Sequence, residues 1–222
     1  MGHRGAKGYV VENTLESFQK AIDLGVDAIE LDVHVCKSGE IIVFHDFTLD
    51  RLTNGKGEIS KYTLAELKKL KIGEKYEIPT LSEVFHLVNK KCTINIELKG
   101  HNTAKPVAKL IEEYVTNENW NYSHFIVSSF QYEELATFSQ INSKIQLAVL
   151  TQASVEQAID WAKEFKAQYI HPHFSLLTLD NCNFAKENGL KINTWTVNEN
   201  ADIEQVKKYD IEGIISDFPD RI

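Results

Sequence analysis

Residues 28–46 read Ala28-Ile-Glu-Leu-Asp-Val-His-Val-Cys-Lys-Ser-Gly-Glu-Ile-Ile-Val-Phe-His45-Asp46. The first part alternates, with Ile29, Leu31 and Val33 on one face of a strand and Glu30 and Asp32 on the other. Two carboxylates two residues apart on one face repel each other, and a hard divalent cation such as Mg²⁺ or Ca²⁺ is the natural group to stand between them. Lys37-Ser-Gly-Glu40 reads as a turn and Ile41–Phe44 as a returning strand. Such a hairpin is expected to set Cys36 against Ile41, His34 against Val43 and Asp32 against His45, bringing an imidazole back beside the carboxylate pair. An ordinary strand with polar residues facing solvent is the competing reading for Glu30 and Asp32 alone.

Outward from this stretch the chain keeps a regular rhythm. Asn13 with Glu16 predicts a capped helix running to about Leu24, stopped by Gly25. Residues 47–78 break the pattern and read as a small insertion over one mouth of the fold, with a short helix capped at Thr63, and a further helix capped at Thr80 runs to about Asn89. Strands are then expected at 93–98, 125–129, 145–150, 169–171, 192–197 and 213–216, each but the last followed by a helix. With a short strand near residue 3 and the strand at 29–33, the count is eight. No helix-length segment separates residues 33 and 41, so that return is antiparallel and lies outside the count. The expected fold is α/β, a (β/α)₈ TIM barrel in one domain over 1–222, with the insertion after the hairpin that follows strand two. A doubly wound sheet is the alternative, but neither a GxGxxG nor a P-loop is present.

Composition narrows the function. A chain of 222 residues with net charge −8 and no basic tract does not suit a nucleic-acid partner. Cys36, Cys92 and Cys182 are scattered and form no CxxC, which fits neither a disulfide framework nor a zinc site. Residues 1–20 have no apolar core behind a basic start, and no apolar run reaches the length of a membrane span, so a cytoplasmic location is expected. No apolar heptad marks an oligomer interface.

In a barrel, chemistry collects at the C-terminal ends of the strands. Parity places Glu30, Asp32, Asn95, Glu97 and Lys99 inward, near His3 and Arg4, with Asn193, Trp195 and Val197 on one face of strand seven. Glu30, Asp32 and Glu97 can offer three oxygen ligands to one Mg²⁺ or Ca²⁺. Arg4 and Lys99 suit an anionic oxygen, and His3 and His45 suit acid and base roles near neutral pH. Metal, cations and an acid/base pair together read as phosphoryl-ester chemistry. Glu97 with Lys99 also reads as an internal ion pair, and Glu12 as a support for the rim. His34, His86, His101, His124 and His173 read as structural or surface residues, and His171 lies at a strand end.

The motifs His3-Arg-Gly5, Glu12-Asn-Thr14, Ile29-Glu-Leu-Asp32, Val43-Phe-His-Asp46, Ile78-Pro-Thr-Leu81, Ile96-Glu-Leu-Lys99, Ser128-Ser-Phe130, Asn193-Thr-Trp-Thr-Val-Asn198 and Gly213-Ile-Ile-Ser-Asp-Phe-Pro219 occur in that order. The sequence resembles the glycerophosphodiester phosphodiesterase family over essentially its whole length. The resemblance implies a phospholipase-C-like TIM barrel that hydrolyses glycerophosphodiesters to sn-glycerol 3-phosphate and an alcohol. It implies His3 and His45 as the acid/base pair, Glu30, Asp32 and Glu97 as metal ligands, Arg4 and Lys99 on the phosphate, and Phe130 and Trp195 as pocket walls. Only Met1 and Gly2 precede His3, where the family has several apolar residues, so a short strand one and a weak seam to strand eight are expected. Val11 stands where a proline is common. A lysophospholipase D acting on acylated substrates and a phosphoester-binding barrel without turnover are the other readings. The lysine-rich insertion (Lys56, Lys61, Lys68, Lys69, Lys71) gives the first of these no clear apolar groove.

Overall fold

The computed structural model describes residues 1–222. One curled sheet runs in the order β2-β1-β3-β4-β5-β6-β7-β8. Its parallel strands are β1 (Ala28–Val35), β3 (Thr93–Leu98), β4 (Phe125–Ser129), β5 (Gln146–Thr151), β6 (Tyr169–Pro172), β7 (Lys191–Thr194) and β8 (Gly213–Ile214). Helices α1 (Leu15–Asp23), α3 (Leu81–Val88), α4 (Ala104–Asn117), α5 (Tyr132–Ile141), α6 (Val155–Phe165), α7 (Leu179–Glu187) and α8 (Asn200–Lys207) connect them, and α2 (Leu64–Leu67) lies in the segment 47–78. Ile94, Ile96 and Leu98 join the core between strands and helices, while Asn95 and Glu97 line the interior, as alternation requires.

The eighth strand position is held by the first residues of the chain. Gly2 bridges Ile29 on one side and Ser216 on the other. Gly2 N–H donates to Ala28 O (2.9 Å) and Glu30 N–H to Gly2 O (2.8 Å). His3 N–H donates to Ser216 O (2.9 Å) and Ser216 N–H to Met1 O (3.1 Å), which closes the barrel. A side chain at Gly2 would meet Gly5 O at 2.4 Å, so the close approach needs glycine. Strand one is short because β1 has only half an edge to offer. Its lower part pairs with Gly2, and its upper part, Val33–Val35, pairs with the antiparallel β2 (Ile41–Val43). The N-terminal segment and β2 therefore part company beside Glu30 and Asp32, and the cavity opens at that divergence.

Several sequence expectations shift. The hairpin pairs Val33 with Val43, His34 with Ile42 and Val35 with Ile41, one residue away from the expected register. Cys36 N–H donates to Glu40 O (3.0 Å) and Gly39 takes φ +99°, so Lys37-Ser38-Gly39 forms a three-residue loop with glycine in the left-handed region. A one-residue slip exchanges faces. Val43 joins the main core beside Val33, and Ile42 and Phe44 enter a separate cluster. Phe44 N–H, not His45, meets Asp32 O (3.0 Å), so His45 stands past the end of β2. The N-cap of α1 is Thr14 rather than Asn13: its side chain accepts from Ser17 N–H, and Asn13 takes φ +56°. Strand β7 ends at Thr194, so alternation does not carry on to Val197, which is buried in the main core instead of facing the mouth.

The segment 47–78 packs on a small cluster of 8 buried residues, including Leu49, Ile59, Leu67, Ile72 and Ile78. The main core holds 45, so the segment depends on the barrel for its order. Cys36, Cys92 and Cys182 are all buried free thiols. No helix is long and apolar enough to cross a membrane.

Candidate active site

The site grows from the point where the N-terminal segment and β2 diverge from β1. Glu30 and Asp32 point inward from β1, and Glu97 lies beside Asp32 on β3, its register partner. Carboxylate oxygens of the three lie within 4.8 Å of one another. At that separation two full charges repel by on the order of 3 kcal/mol at an effective dielectric of about 20. Burial, followed by the neighbouring carboxylates, pushes Glu30 and Glu97 upward from their ordinary values. Asn13 Nδ2–H donates to Asp32 Oδ2 (2.9 Å), which leaves the buried Asp32 Oδ1 with no hydrogen-bond partner. A buried oxygen without a donor, inside a cluster of three carboxylates, fits the oxygen-ligand chemistry of Mg²⁺ or Ca²⁺.

Cations flank this group. Arg4 turns in at φ +50°, so that its backbone N–H donates to Glu30 Oε2 (2.9 Å). Its Nη1–H donates to Glu12 (2.7 Å), and Nε lies 3.3 Å from Asp32 Oδ2. Lys99 Nζ donates to Glu97 (3.0 Å), the ion pair expected from the spacing.

Both imidazoles are held by an aspartate. His3 Nδ1–H donates to Asp217 Oδ1 (2.6 Å), and Asp217 Oδ2 accepts from Asn198 Nδ2–H (3.0 Å). His45 Nδ1–H donates to Asp46 Oδ1 (2.7 Å), and the His45 carbonyl accepts from His34 Nε2–H (3.3 Å). In each ring the other nitrogen, Nε2, is left for the cavity. Burial pulls both histidines below their ordinary value and keeps the neutral ring favoured.

The cavity measures about 560 Å³. Of the residues singled out in the sequence, it gathers His3, Arg4, Glu30, His45, Glu97, Lys99, Phe130 and Trp195 on its walls, with Asp32 buried just behind. Phe130 and Trp195 meet edge to face at 5.4 Å, and Trp195 is fixed by its Nε1–H on His171 O (2.7 Å). His171 lies wholly buried below, accepting from Asn193 Nδ2–H (3.0 Å), and is not on the wall.

Other wall and support residues carry no clear signal in the sequence. Phe47, His101, Gln131, Leu150, Gln152 and Ile215 also line the cavity. Asp217 is 214 positions from His3, so only barrel closure brings them together. Asp46 is visible as the neighbour of His45 in a His-Asp pair. Asn13 reads as a helix cap because Glu16 follows it by three.

A family profile described as the glycerophosphoryl diester phosphodiesterase family matches residues 3–221. A glycerophosphodiester phosphodiesterase of Caldanaerobacter subterraneus subsp. tengcongensis is 36% identical over 235 residues, covering 100% of this chain and 95% of its own. A phosphodiesterase from Oleispira antarctica, solved in complex with the product sn-glycerol 3-phosphate, superposes with a TM-score of 0.90 at 26% identity, covering 100% of this chain and 93% of that one. A lysophospholipase D of Mus musculus is 34% identical over only 129 residues, 51% of this chain and 41% of its own. The expected barrel and the expected resemblance thus meet in one chain, and it belongs to the glycerophosphoryl diester phosphodiesterase family.

Proposed function

We propose that the protein hydrolyses glycerophosphodiesters to sn-glycerol 3-phosphate and an alcohol, at the cavity where the two aspartate-held imidazoles face the carboxylate trio. That convergence in one cavity is the observation that carries the reading. The match to family members across the whole chain supports it. The whole chain is read as one catalytic domain, with 47–78 as its insertion, and its place of action as the cytoplasm.

Glu30, Asp32 and Glu97 would hold one divalent cation, Mg²⁺ or Ca²⁺. That ion would supply a Lewis acid for the charge that builds on the phosphoryl oxygens. Arg4 and Lys99 bind the anionic diester and orient it. His3 and His45 stand as base and acid. One neutral Nε2 takes a proton from the attacking oxygen as it bonds to phosphorus, that oxygen being water's, or the substrate's own glycerol hydroxyl with water then opening the cyclic phosphate. The other imidazole, protonated in the presence of the phosphate anion, gives its proton to the departing alcohol oxygen as the P–O bond breaks. Asp217 and Asp46 stabilise each ring in its charged form and fix its tautomer. Phe130 and Trp195 wall the carbon part of the substrate.

The test is glycerol 3-phosphate release from glycerophosphocholine, with and without EDTA, by the wild type and His45→Ala. EDTA-sensitive turnover lost in the variant supports the assignment. No turnover with either cation sinks it and leaves the non-catalytic phosphoester-binding reading.

One observation favours a second substrate class. Phe47 lines the cavity from the segment after β2, is 48% exposed and packs against His34 and His101. An acylated glycerophosphodiester, the kind of substrate a lysophospholipase D takes, would lay its chain along that apolar edge. A higher kcat/KM for long-chain lysophosphatidylcholine than for glycerophosphocholine would favour this reading.

A further inference from the structure

Past β2 the chain enters the segment 47–78, and one side chain reaches back from it. Arg51 Nε–H donates to Asp46 Oδ2 (2.6 Å) and Nη2–H to Asp46 Oδ1 (2.9 Å). The same Nη2 donates to Glu12 Oε1 (2.7 Å), with Nη1 at 3.3 Å from Glu12 Oε2. Each carboxylate has a second duty. Asp46 Oδ1 also accepts from His45 Nδ1–H (2.7 Å), and Glu12 Oε1 also accepts from Arg4 Nη1–H (2.7 Å). A single guanidinium therefore stands between His45, just past the end of β2, and Arg4, in the N-terminal segment.

These are the two arms that diverge from β1, and no backbone ladder joins them at the mouth. An isolated surface ion pair contributes little and engages one carboxylate, whereas this fork is shared by two, one of them only 5% exposed. The Arg51 bonds, foremost, hold Asp46 down at about 2, so it stays an acceptor for His45. Rotation of Asp46 into solvent would break its bonds to Arg51 and to His45 together.

We propose that Arg51 is a positioning residue of the phosphodiesterase site, locking Asp46 against His45 and Glu12 against Arg4 so that both arms of the mouth keep one geometry. This rests on the acid/base role given above to His45. The planar fork is essential, because a lysine ammonium is a point charge that cannot serve both carboxylates in one plane.

The test compares wild type with Arg51→Gln, Arg51→Lys and Arg51→Ala. Two readouts are used: kcat and KM on glycerophosphocholine, and the ¹⁵N resonances of the His45 ring, which report its tautomer. Arg51→Gln and Arg51→Lys are expected to lower kcat by roughly tenfold to hundredfold, with the smaller change in KM. The His45 ring is expected to move from the Nδ1–H tautomer toward a mixture, and added guanidinium ion to restore part of the kcat of Arg51→Ala. Wild-type kcat in the variants, with an unchanged His45 signal, would reduce Arg51 to a surface ion pair and overturn the proposal. A fall in kcat that comes with a lower melting temperature, an unchanged His45 signal and no response to guanidinium would assign the loss to folding, and overturn it equally. A wild type inactive on every glycerophosphodiester would sink the functional reading alone, since the His45 tautomer still decides the role of Arg51.

Discussion

The wall built by residues 3–99 brings two imidazoles, two cations and three carboxylates to the cavity, whereas residues 130–215 face the same space with Phe130, Gln131, Leu150, Gln152, Trp195 and Ile215. The charged groups of the first half of the barrel mouth are bonded to one another, with Phe47 and Leu98 as its apolar members. The second half is neutral and largely apolar. Charge belongs where a phosphodiester reacts, because groups aimed at developing charge act most strongly in a water-poor site. An apolar wall recognises carbon and contributes to binding. Damage to the first half is therefore expected to appear in kcat, and damage to the second in KM.

The largest effect is expected from the charged half. His45→Ala, or His3→Ala, should lower kcat by about 10²–10⁴ with the protein still folded, as loss of a general acid or base does. Steady-state kinetics on glycerophosphocholine would check this, and a fall of less than about tenfold would remove the acid/base role from that histidine.

Next comes the linkage between pH and the carboxylate trio. Burial and the neighbouring Asp32 raise Glu97 from 4.5 to about 7, and Glu30 shifts the same way. Between the unfolded and folded values the native state binds more protons than the unfolded chain, so the metal-free protein loses stability as pH rises across that window. A divalent cation replaces those protons, and its affinity rises with pH. At a hundredfold excess over Kd the cation adds about 2.7 kcal/mol. The melting temperature should therefore rise on adding Mg²⁺ or Ca²⁺ at about pH 8 and much less at about pH 5. An equal rise at both would place cation binding elsewhere. In Glu97→Gln the rise should be lost.

A smaller change is expected from the neutral half. Trp195→Ala removes the edge-to-face partner of Phe130 and part of the wall. Losing about 1–1.5 kcal/mol of contact should raise KM roughly tenfold and leave kcat within a few-fold. An equal loss in kcat would mean that this wall also orients the reacting groups, and the division between the halves would not hold.

The smallest effect on activity is expected where the halves are tied together. Glu134, on α5, accepts from Ala104 N–H (2.8 Å) and Thr103 Oγ–H (3.1 Å), and also from Asn102 N–H, at the start of α4. It caps a helix whose own N-cap residue, Thr103, accepts from no backbone N–H of the first turn, and so anchors the loop after Lys99. Glu134→Ala should cost about 1–3 kcal/mol of stability, read by denaturant melts, while kcat changes little.

Much of the fold and of the site is legible in the order of the residues. The period-two pattern of β1 and β3 is a local property, so it assigns Glu30, Asp32, Glu97 and Lys99 to the interior. Strand–helix spacing implies parallel order, and strand count implies a barrel. Legibility fails where one residue of loop length decides a face, as at Gly39, and where a motif serves two purposes, as at Asn13. It fails at Val197 as well, because alternation holds only as far as β7 itself extends.

What the linear order determined by itself is which side chains of β1 and β3 face the interior, because side-chain direction along a strand follows from backbone geometry alone. What tertiary structure alone decided is how those groups are held. Asp217 reaches His3 only because the barrel closes through Gly2, and Arg51 reaches Glu12 across 39 positions only because the chain past β2 folds back against the N-terminal segment. Hydrogen bonds between side chains need alignment within a few tenths of an ångström, and only the packed whole sets distances that finely.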